Sequence, residues 1–225
     1  MLTEKILNRI RYLYLLRRIK KYRALTSIPP FRDVTAARVQ ANMKRLQPLY
    51  EEYVSTISTP EMAASLRMLA FLLSLIEVGQ YNRIADIGSG LSSLVLRWGS
   101  KGSPLAQVVS VDDSQEWLEK TRGFLRRHDV DCDQCVTLED FLENRPSGFD
   151  LIFFDLNLVE VRIKYVEEIF AALHSGGIMI FDDVHKRDYL FPLLEILVNH
   201  GVSLYSLKPA TLDEFGRFAV LAVRE

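Results

Sequence analysis

Short apolar runs alternate with segments of helical periodicity over most of the chain. The apolar runs predict seven strands, at residues 84–87, 107–111, 135–138, 149–154, 178–181, 203–207 and 217–223. Helical periodicity predicts a helix opening at Ser92 and further helices at residues 61–77, 113–127, 158–173 and 189–200. The run 149–154 is apolar throughout, which is typical of a strand buried on both faces of a parallel sheet.

The order of these segments predicts the architecture. Strands that alternate with helices form a parallel sheet with helices on both faces. The last two strands are joined by a loop too short for a crossover helix, so they must be antiparallel to each other. We therefore expect an α/β fold with a seven-stranded, mostly parallel sheet and one antiparallel strand near an edge.

The N-terminal region has a different pattern. Residues 1–24 predict a basic amphipathic helix, and Ser27-Ile28-Pro29-Pro30 ends it as a stiff linker. This helix suits docking on the rest of the protein or on a second subunit, or peripheral contact with an anionic membrane, or it imitates a transit peptide; we favour docking. Residues 34–57 predict a second helical segment, interrupted at Pro48. We expect residues 1–58 to form a helical extension and residues 59–225 the main domain.

Composition narrows the class of protein. Hydrophobic residues make up 48% of the 225 residues and charged residues 25%, as in ordinary globular proteins. A formal net charge of −1 gives no overall attraction to nucleic acid, and the basic N-terminal helix lacks a recognised RNA-binding module. No apolar run approaches the ~20 residues needed to cross a bilayer, and no secretory signal is evident. The lone pair Cys132 and Cys135 predicts reduced thiols in a cytoplasmic protein.

A glycine turn follows the first predicted strand. Gly88 and Gly90 allow a ligand to lie against the main chain, because they have no Cβ. Ser92 and Ser93 open a helix whose free N–H groups favour an anion. Asp86, at the end of the strand, suits a ligand that also carries positive charge. A plain strand-to-helix connection with serine caps is the alternative interpretation.

Acidic residues recur at or just beyond the ends of the predicted strands. In parallel sheets, ligands bind outside the carboxyl ends of the strands, where the strand order reverses. The acidic residues in such positions are Asp86, Asp112, Asp140, Asp155, Asp182 and Asp183.

With these motifs in place, the sequence resembles class I S-adenosylmethionine-dependent methyltransferases, and most of all small-molecule O-methyltransferases. The resemblance covers roughly residues 59–225 and rests on residues 86–90, 111–112, 149–155 and 176–183. Ser92 departs from the pattern, since many members have a third glycine there. The family implies a Rossmann-like fold, which agrees with the predicted strand order.

The resemblance implies roles for the glycine turn. Gly88, Ser89 and Gly90 would contact the methionine part of S-adenosylmethionine, with its carboxylate near the helix start at Ser93. Asp86 would balance the amino group or the sulfonium.

The resemblance also implies contacts to the rest of the cofactor. Asp112 could accept both ribose hydroxyls. Asp113, which we expect to cap the next helix, is a further candidate for cofactor contact. Asp140 or its neighbour Glu139 would accept from the adenine amino group, and Asp155 would line the cofactor site.

A metal is a further expectation from this family. Asp155, Asp182 and Asp183 resemble the acidic residues with which catechol-type and sugar O-methyltransferases hold Mg²⁺. Consecutive strand residues point to opposite faces, so Asp182 and Asp183 can share an ion only where the backbone turns. Otherwise Asp155 lines the cofactor site and one of the pair caps the next helix.

The catalytic base cannot be transferred from the family. Catechol-type enzymes have a lysine shortly after the first metal ligand, whereas this chain has Leu156-Asn157-Leu158. His185 is the expected replacement, because a near-neutral pKa suits removal of a hydroxyl proton. We therefore assign the catalytic roles to His185 and Asp155.

These features together predict methyl transfer from S-adenosylmethionine to an oxygen of a small-molecule acceptor, by an enzyme that could form a homo-oligomer. Two alternatives are an NAD(P)-binding oxidoreductase and a non-catalytic binding or assembly module on the same fold. The oxidoreductase is disfavoured because the turn lacks the third glycine of the dinucleotide fingerprint.

Overall fold

The computed structural model describes residues 2–225, with side chains from residue 5 onward. Its helices are α1 (Leu2–Leu16), α2 (Tyr22–Leu25), α3 (Ala36–Thr56), α4 (Leu66–Val78), α5 (Leu91–Ser100), α6 (Gln115–Arg127), α7 (Leu138–Asn144), α8 (Val159–Ala171), α9 (Arg187–Leu197) and α10 (Lys208–Thr211). Its strands are β1 (Ile19–Lys20), β2 (Arg83–Ile87), β3 (Gln107–Asp112), β4 (Cys135–Thr137), β5 (Phe149–Phe154), β6 (Leu173–Phe181), β7 (Val202–Ser206) and β8 (Val220–Arg224).

The strands form one sheet in the order β1-β7-β8-β6-β5-β2-β3-β4. Strand β8 runs antiparallel to both of its neighbours, β6 and β7, and the other pairs are parallel. This confirms the predicted Rossmann-like α/β sheet with one reversed strand near an edge. The eighth strand, β1, was not predicted. It consists of two residues that pair with the edge of β7, within the segment expected to be helical.

Several predicted element boundaries were wrong for local reasons. The N-terminal helix ends at Leu16 rather than residue 24. Helix α3 continues through Pro48, which lies on its exposed side, where water can bond the carbonyl that proline leaves free. Helix α4 begins at Leu66 rather than residue 61, because the Ser65 hydroxyl accepts from the Met68 N–H and caps it.

Two further expectations near the site were also wrong. Ser114, not Asp113, caps α6, since its hydroxyl accepts from the Trp117 N–H at 3.2 Å. The helix predicted over residues 158–173 ends at Ala171, and β6 starts at Leu173, five residues before the predicted strand at 178–181.

Hydrophobic packing covers both faces of the sheet. One core cluster joins α3, α4, α5 and α6 to the sheet, and the other joins α8 and α9 to its opposite face. Leu46 and Tyr53 of α3 are fully buried in the first cluster. The second predicted helical segment is thus part of the same core, and a domain boundary at residue 58 stays a prediction.

None of the helices in residues 2–225 combines the length and apolarity that a bilayer crossing requires.

Candidate active site

The site lies where the strand order reverses. The chain runs from β2 outward through β3 to β4, then returns to place β5 on the other side of β2. The Asp155 N–H donates to the Ile87 carbonyl at 2.7 Å, which holds the ends of β2 and β5 together. A cleft of about 250 Å³ opens above this point. The predicted ligand position at the reversal of strand order therefore coincides with a cavity.

The glycine turn forms the floor of the cleft. Gly88 adopts φ +104°, and a Cβ there would lie 2.3 Å from the Asp155 carbonyl oxygen. A Cβ on Gly90 would lie 2.9 Å from the Tyr53 hydroxyl. Backbone N–H groups of Gly88 and Ser89 donate to the Val111 carbonyl at 2.8 and 3.1 Å. Glycine is therefore required at position 88, a side chain at position 90 would displace the Tyr53 hydroxyl, and the turn is tied to the end of β3.

Asp112 lies at the rim of this turn with its carboxylate facing the cleft. Its Oδ2 accepts from the backbone N–H and the hydroxyl of Ser89, at 2.9 and 3.0 Å, and its Oδ1 accepts from the Ser114 N–H at 3.0 Å. Burial raises the pKa of the Asp112 carboxyl to about 6. Three of about four acceptor positions are used, so Oδ1 can still accept from a ligand hydroxyl.

Asp86 lies beneath the turn and is fully buried. Its Oδ2 accepts from the hydroxyls of Ser92 and Ser93 at 3.1 and 2.5 Å. Its Oδ1 has no hydrogen-bond partner among the described residues. Burial raises the pKa of the Asp86 carboxyl to about 7, although the serine hydroxyls lower it. An unpartnered buried acceptor beneath the turn suits a cationic ligand group above it.

Ser93 and Asp113 hold different positions. The Ser93 hydroxyl accepts from the Gly90 N–H at 3.2 Å and donates to Asp86, so it links the turn to the buried carboxyl and is itself buried. Asp113 is exposed and lines the cleft. Cofactor contact by these two residues stays a prediction.

The ends of β5 and β6 are joined by a buried arginine. Arg162 of α8 donates from Nη2 to Asp155 Oδ1 at 2.8 Å, from Nη1 to the Asp182 carbonyl at 3.0 Å, and from Nε to the Leu156 carbonyl. Burial raises the pKa of the Asp155 and Asp182 carboxyls, and the Arg162 charge opposes this rise. Arg162 therefore acts as the counter-ion of the acidic strand ends.

Asp183 lines the cleft, while Asp182 turns inward. The backbone does turn at Asp183, where φ is +58°, and the Asp183 N–H donates to Asp182 Oδ1 at 2.8 Å. Neither aspartate caps α9, whose N-cap is Lys186. Arg217 Nε lies 4.0 Å from Asp183 Oδ1, so a second guanidinium approaches the acidic group.

This arrangement does not fit the expected Mg²⁺ site. Asp155 is bonded to Arg162, and Asp182 is buried away from the cleft that Asp183 lines. Within residues 2–225, no group of three or more His, Cys, Asp or Glu side chains could hold a metal ion. The three aspartates are brought close together, but Asp155 is paired with Arg162 and the Asp182 carboxyl accepts from the Asp183 N–H, so we derive no catalytic step through a metal.

The expected adenine contact is also not assembled. Asp140 lies in the first turn of α7, where it accepts from the Thr137 hydroxyl at 2.7 Å. It lines a different cavity of about 630 Å³, together with Arg97 and Gln107 from the other end of the sheet. Glu139 is exposed and does not line the cleft of Asp112. The structure therefore separates both candidates from the cleft.

The expected base, His185, lies beside the site but not on its wall. His185 Nδ1 is 3.8 Å from Asp183 Oδ1, beyond hydrogen-bond distance. Its neighbour Lys186 does line the cleft.

The cleft residues that sequence reasoning missed include Tyr53, Trp117, Arg162 and Lys186. Trp117 Nε1 donates to the Ser89 carbonyl at 2.6 Å and so braces the turn. Arg162 had a detectable signal, because a basic residue on the inward side of α8 requires a buried partner. The other three lie on helix or loop positions with no distinguishing pattern.

Comparison with known proteins identifies the family. Residues 80–205, more than half of the chain, match the family model described as a methyltransferase domain. The chain therefore belongs to the methyltransferase-domain family. This match confirms the resemblance to methyltransferases and gives no support to the oxidoreductase alternative. A search of curated proteins finds no match.

Solved structures share the fold at low sequence identity. A methyltransferase from Podospora anserina with bound S-adenosylhomocysteine is 19% identical at a TM-score of 0.62, covering 88% of this chain and 98% of that one. The O-methyltransferase TomG from Streptomyces achromogenes, involved in tomaymycin synthesis and bound to S-adenosylmethionine, is 17% identical at a TM-score of 0.60, covering 84% and 90%. An O-methyltransferase from Bacillus cereus with S-adenosylhomocysteine is 18% identical at a TM-score of 0.59, covering 81% and 89%.

The raised pKa of Asp86 predicts a pH-dependent stability. Between about pH 4 and pH 7 the folded state holds a proton that the unfolded state releases, so the stability contributed by Asp86 falls as pH rises. In Asp86→Asn this dependence is absent. The unfolding free energy of the variant, relative to wild type, should therefore increase by up to about 1.4 kcal/mol per pH unit in that window. Urea unfolding at several pH values measures this, and parallel curves for the two proteins would contradict it.

Because Arg162 is paired with buried carboxyl groups, its removal should cause a large and pH-dependent loss of stability. Arg162→Met should lower the unfolding free energy by about 3–5 kcal/mol at pH 8, because uncompensated carboxylates remain buried. The loss should shrink at lower pH and in the double variant with Asp155→Asn. The control Arg127→Met removes a half-exposed arginine 3.5 Å from Glu52 and should cost about 1 kcal/mol or less. Equal losses in the two arginine variants would show that Arg162 is not the counter-ion of a buried cluster.

Proposed function

We propose that this protein transfers the methyl group of S-adenosylmethionine to an oxygen of a small-molecule acceptor. One observation carries the proposal: the glycine turn, Asp112 and Asp155 meet in a single cleft at the reversal of strand order. Membership of the methyltransferase-domain family supports the reaction class. The bound cofactors of the fold neighbours and the O-methyltransferase names of two of them support the cofactor and the acceptor atom.

The turn has the chemistry to hold such a cofactor. S-adenosylmethionine would supply a methyl group made electrophilic by its bond to a positively charged sulfur. Gly88 and Gly90 leave room against the main chain, and the N-terminus of α5 favours its carboxylate. Asp112 would accept from the ribose hydroxyls through its remaining acceptor capacity. Asp86 is buried beneath the turn with Oδ1 unpartnered within the described part of the chain, and its carboxylate would favour the positive charge of the cofactor.

The opposite side of the cleft suits an acceptor. Its wall includes Met62, Ala63 and Ala64 from the segment before α4, together with Asn157 and Lys186. Arg217 donates to the Pro60, Glu61 and Ala63 carbonyls at 2.8–3.1 Å and so fixes this segment. Small apolar side chains beside a few polar groups fit a small hydroxylated molecule.

The transfer needs orientation and removal of one proton. As the acceptor oxygen bonds to the methyl carbon, the carbon–sulfur bond breaks and the hydroxyl proton passes to a base. No protein atom becomes covalently attached, so the chain acts mainly by holding the two reactants in line. His185 was the candidate base from sequence, and Lys186 is added because it lines the cleft.

Homo-oligomerisation and a cytoplasmic location remain predictions. They rest on the N-terminal helix and on the composition of the chain, respectively.

Asp112 tests cofactor binding. Asp112→Asn should weaken S-adenosylhomocysteine binding by roughly 10–100-fold, because a hydrogen bond to a charged acceptor contributes about 1.5–3 kcal/mol. Isothermal titration calorimetry measures the affinity, and thermal unfolding checks that the contacts to Ser89 and Ser114 still support the fold. Asp133→Asn, at an exposed acid outside the cleft, is the control. Failure of the wild type to bind at millimolar concentration would overturn the proposed function.

The two candidate bases can be separated by turnover. Lys186→Met should reduce kcat by about 100-fold or more, while His185→Gln changes it little, because only Lys186 lines the cleft. Formation of S-adenosylhomocysteine is measured with the best acceptor from a panel of phenols, sugars and polyketide-like alcohols. The opposite result would return the role to His185. Cofactor binding without turnover on any acceptor would favour the non-catalytic module.

A further inference from the structure

Helix α1 is attached to the protein through one face only. Leu15 is buried, and the Tyr12 ring packs edge-on against Phe191 of α9 with centroids 5.5 Å apart. Arg11 Nε lies 2.8 Å from Glu195 Oε1 of the same helix. These contacts orient α1 and determine which of its faces points outward.

The outward face of α1 is a continuous apolar stripe. Its five large side chains have exposed fractions between 50% and 64%: Ile6, Leu7, Ile10, Leu13 and Tyr14. At 100° per residue they fall within an arc of about 120°. Eleven large apolar side chains are exposed among the described residues, and five of them lie in this stripe. Exposed apolar residues are therefore clustered on α1, whereas single exposed apolar residues are normal on a protein surface.

Basic side chains border this stripe. Lys5 and Arg9 lie along one edge, Arg11 lies along the other, and Arg17 and Arg18 follow the end of the helix. All five are exposed, and the sequence contains no acidic residue from 5 to 32. Since the whole chain has a formal net charge of −1, this positive charge is local to the N-terminal region.

We propose that α1 docks on an anionic lipid surface and lies in the plane of the membrane interface. An apolar stripe bordered by cations inserts its hydrophobic side chains between lipid headgroups while the cations contact the anionic groups. The helix has 15 residues and would measure about 22 Å, which is shorter than the ~30 Å hydrocarbon core. It therefore lies on the surface and does not span it.

A second copy of the chain fits this face less well. Lys5, Arg9, Arg11, Arg17 and Arg18 all lie on or just after this helix, so pairing two stripes would bring two positively charged helices together. Glu4 is the single acidic residue in positions 1–32, so most of this positive charge would stay uncompensated. Juxtaposed like charges disfavour such an interface, whereas they favour an anionic surface.

The test is co-sedimentation of the full chain with lipid vesicles. We expect binding to vesicles of phosphatidylcholine with phosphatidylserine, little binding to phosphatidylcholine alone, and weaker binding at higher salt. Ile10→Asp should lower the partition coefficient by about tenfold or more, since it places an anion in the inserted stripe. Leu105→Asp is the matched control, because Leu105 is 72% exposed and lies away from α1.

Two results would overturn the proposal. One is a failure of the vesicle assay to depend on the stripe, seen as no binding of the wild type to anionic vesicles or as equal binding of the Ile10→Asp and Leu105→Asp variants. The other is a dimer in sedimentation velocity that Ile10→Asp dissociates, which would assign the stripe to a second copy. S-adenosylhomocysteine binding should be unchanged in Ile10→Asp, so failure of lipid docking is distinguishable from failure of the proposed methyl transfer.

Discussion

The architecture of the site depends on the buried guanidinium of Arg162. Two neighbouring parallel strands, β5 and β6, end in aspartates that are removed from water, and like charges so placed would repel each other. Arg162 compensates them while bonding the main chain at Leu156 and Asp182. One side chain of α8 therefore compensates the charge at both strand ends, whose spacing is set by the backbone pairing of β5 with β6. The same chemistry explains why acidic residues that look like metal ligands in the sequence are already paired in the fold.

The carboxyl groups beside the glycine turn are also buried. Asp86 and Asp112 lie on either side of the glycine turn, and desolvation raises the pKa of each. A cofactor that carries positive charge would relieve this penalty, while a neutral or anionic nucleotide would not. The electrostatics of the turn thus favour a cationic ligand on grounds separate from the family match, which rests on sequence.

The sequence predicted the features that depend on local sequence pattern, namely most of the strands and the glycine turn. Apolar runs identified seven of the eight strands, and the glycine turn could be located because only glycine fits positions such as 88. Strand β1 was missed because two residues carry no periodic signal and pair only with the finished edge of β7. The adenine contact assigned to Asp140 was not assembled, since a strand-end position does not reveal that Thr137 would start a helix there. Tyr53, Trp117 and Lys186 enter the cleft through tertiary packing, which no pattern in their own segments reports.

The position of Tyr53 determines how far the chain could be shortened without losing part of the cleft. Its hydroxyl lies close enough to Gly90 that a single added carbon would touch it, and its ring packs edge-on against Phe124 with centroids 5.0 Å apart. The stretch matched by the family model begins 27 residues later, at position 80. A fragment cut to that stretch would retain the glycine turn but lose the wall behind it. The part of the chain that forms the cleft is therefore longer than the stretch that the family model matches.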